Sequence, residues 1–205
     1  ESNYSFDVYK KGILPARISN ELIRPYHKFL QENLNIESTT PLKVREWIVE
    51  NITIDNEANY YNCPISPKGV FELRYSDKHS RDIFFVAACR SLNIPAYLDN
   101  ATNQLFAYSD GEWKTYSFEE EKPKTETGTL ILNYTDDTEI EPQYWIHYTI
   151  AKFENGDFVT FDYENDPRVA KFPITLDLEP GYYMLSTGNR YSDGTTLSKL
   201  VFFNI

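Results

Sequence analysis

One segment limits the fold more than any other. From Ile83 to Leu92 the chain is almost wholly apolar, with Ser76 or Asp77 upstream as a helix N-cap. Downstream, Asn93 tolerates the left-handed backbone of a helix C-terminus, and Ile94-Pro95 cannot prolong the helix. A helix that is apolar on nearly every side must be buried on nearly every side, so the remaining chain has to supply elements that surround it. Upstream segments carry the matching signals. Thr40-Pro41 and Ser66-Pro67 pair a capping residue with Pro at the first helical position, and Leu42, Val44, Trp47 and Ile48 form an apolar stripe. Leu22, Ile23, Tyr26, Phe29, Leu30 and Leu34 repeat that periodicity, with Pro25 beginning, kinking or splitting the helix.

After Pro95 the pattern changes to short strands. Leu105–Tyr108 and Trp113–Phe118 flank Ser109-Asp110-Gly111-Glu112 as a hairpin, and the charged, non-periodic stretch 119–127 reads as a linker. Beyond it, segments starting at Gly128, Tyr144, Phe158, Ile174, Tyr182 and Leu197 read as six strands punctuated by Asn155-Gly156, Pro180-Gly181 and Asp193-Gly194. The expectation is an α+β chain in two domains, 1–122 and 123–205, the second an antiparallel β-sandwich.

Composition narrows the chemistry. A formal charge of −11 repels phosphate backbones, and the cations are scattered, so nucleic acid is not expected as a partner. No apolar run is long enough for a membrane span. Two cysteines, Cys63 and Cys89, give no disulfide framework, and three histidines give no zinc spacing, so neither metal nor cofactor is expected. Asp162, Glu164 and Asp166 offer oxygen ligands for calcium without the Gly-containing loop such a site uses.

The run SDKHSRDIFFVAACRSLNIPAYLD, Ser76 to Asp99, resembles the core helix of transglutaminase-like proteins, where a Cys opens an apolar helix that closes on Arg-x-x-Gly-Ile-Pro-Ala. Arg90, Leu92, Ile94, Pro95 and Ala96 match, and Asn93 stands for the family glycine. The Trp47-Ile48 helix, Asn51-Ile52 after it and the Trp113 hairpin follow in the family order, so the resemblance covers roughly residues 40–118. It implies a transglutaminase/papain-like helical-plus-β domain. In the family the thiol sits at the helix start, where the dipole and a His favour the thiolate. Here Lys78 falls in that place, or Ser80 after a slip of two residues. The family His would fall in Asn103–Phe106, and its Asp after Trp113, where Lys114, Thr115, Tyr116 and Ser117 stand. The pattern is that of a degenerate, non-catalytic member. HYTIAKFENGDFVTFDY and PGYYMLSTGNRYSDGTTLSKLVFFNI resemble the β-sandwich modules that accompany such domains in secreted proteins of Gram-negative gut bacteria, which implies secretion or a place in the cell envelope.

These readings lead to a binding or structural module for a carbohydrate or peptide ligand, with three rival sites. Lys78, His79, Ser80 and Arg81 at the helix start could meet an anionic or carbonyl group, or be a solvated helix end. Cys63 in the Tyr60–Pro64 loop is the alternative nucleophile of a residual cysteine-dependent enzyme, served by His79 or His147, or simply a packed residue. Tyr182, Tyr183 and Tyr191 could form an aromatic face for carbohydrate or protein on the sandwich, or pack as ordinary sheet tyrosines. The oligomeric state stays open.

Overall fold

The computed structural model describes residues 4–36, 39–57, 59–61, 63–119, 126–135, 141–154, 156–164 and 166–205. Residues 120–125 of the expected linker 119–127, which include the expected domain boundary, and Asn155 of the expected Asn155-Gly156 turn lie outside the described residues. The chain forms two compact units, Glu1–Asp99 with Asn103–Glu120 and Asn100–Thr102 with Glu121–Ile205. Helices and antiparallel sheets are both present, so the fold is α+β. No helix among the described residues is long and apolar enough to cross a membrane.

The first unit contains α1 (Phe6–Gly12), α2 (His27–Asn33), α3 (Pro41–Asn51), α4 (Pro67–Leu73) and α5 (Lys78–Ser91). Its strands are β1 (Thr53–Ile54), paired in parallel with β2 (Tyr75–Ser76), and the antiparallel set β3 (Ala96–Asp99), β4 (Gln104–Ser109) and β5 (Glu112–Tyr116). As its sequence requires, α5 is the core: Ile83 to Cys89 are all fully buried. Leu30, Val44, Ile48, Val70, Ala96 and Ala107 belong to the same apolar cluster.

The ends of these helices follow local chemistry. Thr40 Oγ1 accepts from Lys43 N and Ser66 Oγ from Gly69 N, each followed by Pro at the first helical position. Past α5, Asn93 sits at φ 59°, its N–H donating to Arg90 O at 3.0 Å while Ile94 N donates to Cys89 O at 2.9 Å. That paired closure satisfies carbonyls the helix end would otherwise orphan. Asp110 and Gly111, at φ 54° and 86°, make the tight turn between β4 and β5.

Two expectations change here. Leu22 and Ile23 are not helical and are exposed, because the helix begins only after Pro25. Leu42 lies off the buried stripe of α3, whose inward residues are Val44 and Ile48.

The second unit holds β6 (Gly128–Leu132), β7 (Tyr148–Glu154), β8 (Asp157–Thr160), β9 (Ile174–Leu178), β10 (Tyr182–Arg190) and β11 (Thr196–Asn204). The order β11-β10-β7-β8 makes one antiparallel sheet, and β6 pairs with β9 in another. Inward residues of both sheets, among them Ile150, Tyr183, Ile174, Leu176 and Leu178, share one core. Strand β9 alternates buried and exposed positions along its whole length, as a half-buried strand must.

The strand expected from Tyr144 starts only at Tyr148. Residues 143–147 form a turn instead, with Trp145 at φ 68°, Trp145 N donating to Tyr148 O, and Gln143 N donating to His147 Nδ1 at 2.9 Å. The strand expected at Phe158–Tyr163 is likewise shorter, ending at Thr160.

Candidate functional site

The first turn of α5 is one of the three sites the sequence offers, and the structure shows what its groups do. Asp77 caps the helix: Oδ1 accepts from Ser80 N at 2.8 Å, and Oδ2 accepts from Ser80 Oγ at 2.6 Å and Asn59 Nδ2 at 2.7 Å. Ser80 is fully buried, and its Oγ also accepts from Ile65 N, so it is a structural node. His79 Nε2 lies 2.8 Å from Asn20 Oδ1. Lys78 Nζ is 3.1 Å from Glu119 Oε1. Arg81 pairs with Asp82 at 2.9 Å and Glu119 at 3.8 Å, and its guanidinium lies over the Phe118 ring at 4.3 Å. Burial pushes the Asp82 carboxyl up against the opposing pull of Arg81. The chain thus gathers all four residues but surrounds their cations with its own carboxylates.

The thiols divide similarly. Cys89 is fully buried, and burial drives its pKa far above that of a free thiol, which leaves it a small core hydrophobe. Cys63 is exposed, with Sγ directed at Tyr61 O at 3.6 Å, while His79 is engaged by Asn20 and by Ser19 at 3.4 Å. His147 belongs to the second unit, where its Nδ1 accepts from Gln143 N.

The tyrosines separate by strand alternation. Tyr183, which the sequence leaves open between a binding face and ordinary packing, is fully buried in the core and donates to Glu179 O at 2.5 Å. Its neighbour Tyr182 therefore points the other way, 42% exposed and stacked on Phe202 at 6.0 Å. Tyr191, just past β10, is also exposed.

Tyr191 borders the better candidate. Where β10 and β11 run toward their turn, a cavity of about 550 Å³ opens on the core side of the sheet. Tyr134, Tyr148, Phe172 and Tyr191 give it aromatic walls, and Asn133, His147, Thr187, Asn189, Ser198 and Lys199 give it polar ones. A second cavity of about 460 Å³ borders it, lined by Trp145, Ser186, Arg190 and Thr196 and sharing His147, Gly188, Asn189 and Ser198. Two devices shape this end of the sheet. The turn at residues 143–147 holds Trp145 in a left-handed conformation that bulky side chains rarely adopt, and Gly188 N donates to His147 O at 2.9 Å, tying that turn to β10. Gly188 itself has no room for a side chain, because an added Cβ would meet Leu197 O at 2.8 Å.

A volume of this order suits a small ligand. Aromatic faces offer a platform, amide, imidazole and hydroxyl groups offer donors and acceptors, and Lys199 and Arg190 add positive charge. Of these residues the sequence pointed only to Tyr191 as a binding group. Among the described residues no cluster of three His, Cys, Asp or Glu is placed to hold a metal; Asp166 pairs instead with Arg168. The chain matches no family model, no curated protein and no solved structure.

Proposed function

We propose that this is a non-catalytic saccharide-binding protein of the cell envelope or the secreted space, with a transglutaminase-like first unit and a β-sandwich second unit that carries the ligand site. The observation behind the reading is the 550 Å³ cavity, where aromatic walls meet Asn133, His147, Asn189 and Lys199. Sugars bind through such mixed surfaces: the apolar ring face stacks on an aromatic side chain while hydroxyls exchange hydrogen bonds with amides. Lys199 favours a saccharide bearing a carboxylate. At the α5 start, Glu119 and Asp82 compete with any incoming anion for Lys78 and Arg81, which argues against that turn as the main site. The burial of Cys89 argues against thiol chemistry there.

Calorimetric titration of neutral and uronic-acid oligosaccharides, with carboxylate-bearing peptides in parallel, tests the reading. Asn189→Ala and Tyr191→Ala should each weaken saccharide binding by about 1–1.5 kcal/mol, roughly tenfold, whereas Lys78→Ala should leave it unchanged. Binding lost in Lys78→Ala alone would return the site to α5. Amine incorporation abolished by iodoacetamide would refute the non-catalytic assignment.

A further inference from the structure

We infer that β11 is a self-association edge, on which a second copy of this chain pairs antiparallel about a two-fold axis through Leu200. Among the described residues, the sheet order makes β11 one edge and β8 the other. Sheet edges invite added strands, and proteins blunt them with short strands, charges, Pro or bulges. Strand β8 follows that practice, with four residues that include Asp157. Strand β11 does not. It runs nine residues without Pro, keeps unbroken register with β10, and leaves Leu197, Leu200, Val201 and Phe202 between 39% and 65% exposed.

The hydrogen-bond phase of β11 fixes how a partner would fit. Gly181 and Ile205 exchange both backbone bonds, at 2.9 and 3.0 Å, and Tyr191 N donates to Thr195 O. Stepping by two along the register, Leu197, Lys199, Val201 and Phe203 bond toward β10. The N–H and C=O groups of Thr196, Ser198, Leu200, Phe202 and Asn204 therefore point away from it. A two-fold axis at Leu200 sets Thr196 opposite Asn204, Ser198 opposite Phe202, and Leu200 opposite itself. Every pair then joins two outward-pointing residues, so each outward donor meets an outward acceptor across the axis.

Charge leaves this strand open to a second copy. The chain carries −11, which opposes contact between copies over most of its surface, yet Thr196–Asn204 contains no acidic residue. Its one cation, Lys199, falls opposite Val201 in this register, so no like charges meet. Leu200 and Phe202 would also extend the outward ring cluster, in which Phe202 lies 5.6 Å from Phe158 and 6.0 Å from Tyr182, across the axis. One strand per copy is small against the roughly 20–30 residues a side of a standard interface, so the association should be weak, in the micromolar range.

Sedimentation velocity of the full chain across that range should show a concentration-dependent dimer. Leu200→Pro removes an N–H that β10 does not use, and it should weaken dimerisation at least about tenfold while circular dichroism stays native. In a Cys63→Ser background, oxidised Leu200→Cys should give a covalent dimer, since it meets its own copy. Ser198→Cys, which meets Phe202, should give far less. A wild type that stays monomeric, a dimer that survives Leu200→Pro, or stronger cross-linking through Ser198→Cys would each overturn the assignment.

Discussion

Arg90→Ala should destabilise the first unit by about 3–5 kcal/mol, a large share of what a domain of this kind has in reserve. Arg90 is only 2% exposed and sits in the last turn of α5, where its charge also suits the helix dipole. Its Nε donates to Ala96 O at 2.9 Å and Gly12 O at 3.0 Å, and a terminal nitrogen donates to Pro15 O at 2.8 Å. Burial lowers its pKa, opposed by its interactions with Tyr26 and by Glu21. One side chain thereby fastens the end of α1, the Pro15 segment and the start of β3 to the central helix. The packing it secures is close: an added Cβ on Gly12 would lie 2.5 Å from Pro95 Cβ.

Truncation would strand the buried carbonyls of Gly12 and Ala96, and leaving such groups unpaired costs more than the bonds themselves contribute. Arg90→Lys should recover only part of the loss, because an ammonium lacks the planar fork that reaches acceptors on separate segments. Urea denaturation reads the stability change. Limited trypsinolysis at Lys10, Lys11 and Arg17 should also accelerate in the Ala variant, as α1 loses its anchor. A loss below about 1 kcal/mol would show that these carbonyls find other donors.

Arg90 stands out in the sequence as a motif match after an apolar helix, but its acceptors Gly12 and Pro15 lie 78 and 75 positions away, where no local pattern points to it. Local chemistry is readable at the caps of Thr40, Ser66 and Asp77, at the left-handed stop at Asn93, and in the Asp110-Gly111 turn. Helix α1 carries no clear periodic signal because it spans only seven residues, with Phe6 71% exposed and only Val8 and Gly12 buried.

The candidate site was harder to read for a related reason. Alternation separates Tyr182 from Tyr183, but which ring is inside depends on where β6 and β9 pack. Trp145, His147 and Asn189 come together only through the pairing of β7 with β10 and the bond from Gly188 to His147. Similarly, neighbouring Asp82 offers Arg81 a partner that the sequence shows, but the carboxylate beside Lys78 is Glu119, distant in sequence.

Asp77→Ala should cost about 2–3 kcal/mol, more than an ordinary lost helix cap. The carboxylate accepts from the Ser80 amide, the Ser80 hydroxyl and the Asn59 amide, so it caps α5, holds Asn59 directly and holds Ile65 through Ser80. Removing it leaves the buried Ser80 hydroxyl without its acceptor. Asp77→Asn should cost less, since its carbonyl still caps the helix, but an amide nitrogen cannot accept the remaining bonds. Burial by itself would push the Asp77 pKa up; the hydrogen bonds from Ser80 and Asn59 outweigh it, and the net shift is downward from the ordinary 3.8. A carboxylate lowered on folding contributes stability that is fully present above its unfolded pKa and is lost as pH falls through the folded value. The stability gap between wild type and Asp77→Asn should therefore be flat near neutrality and shrink only as the pH drops below 3.8. A gap that stayed constant into acid would mean that the cap works through geometry alone, without its charge.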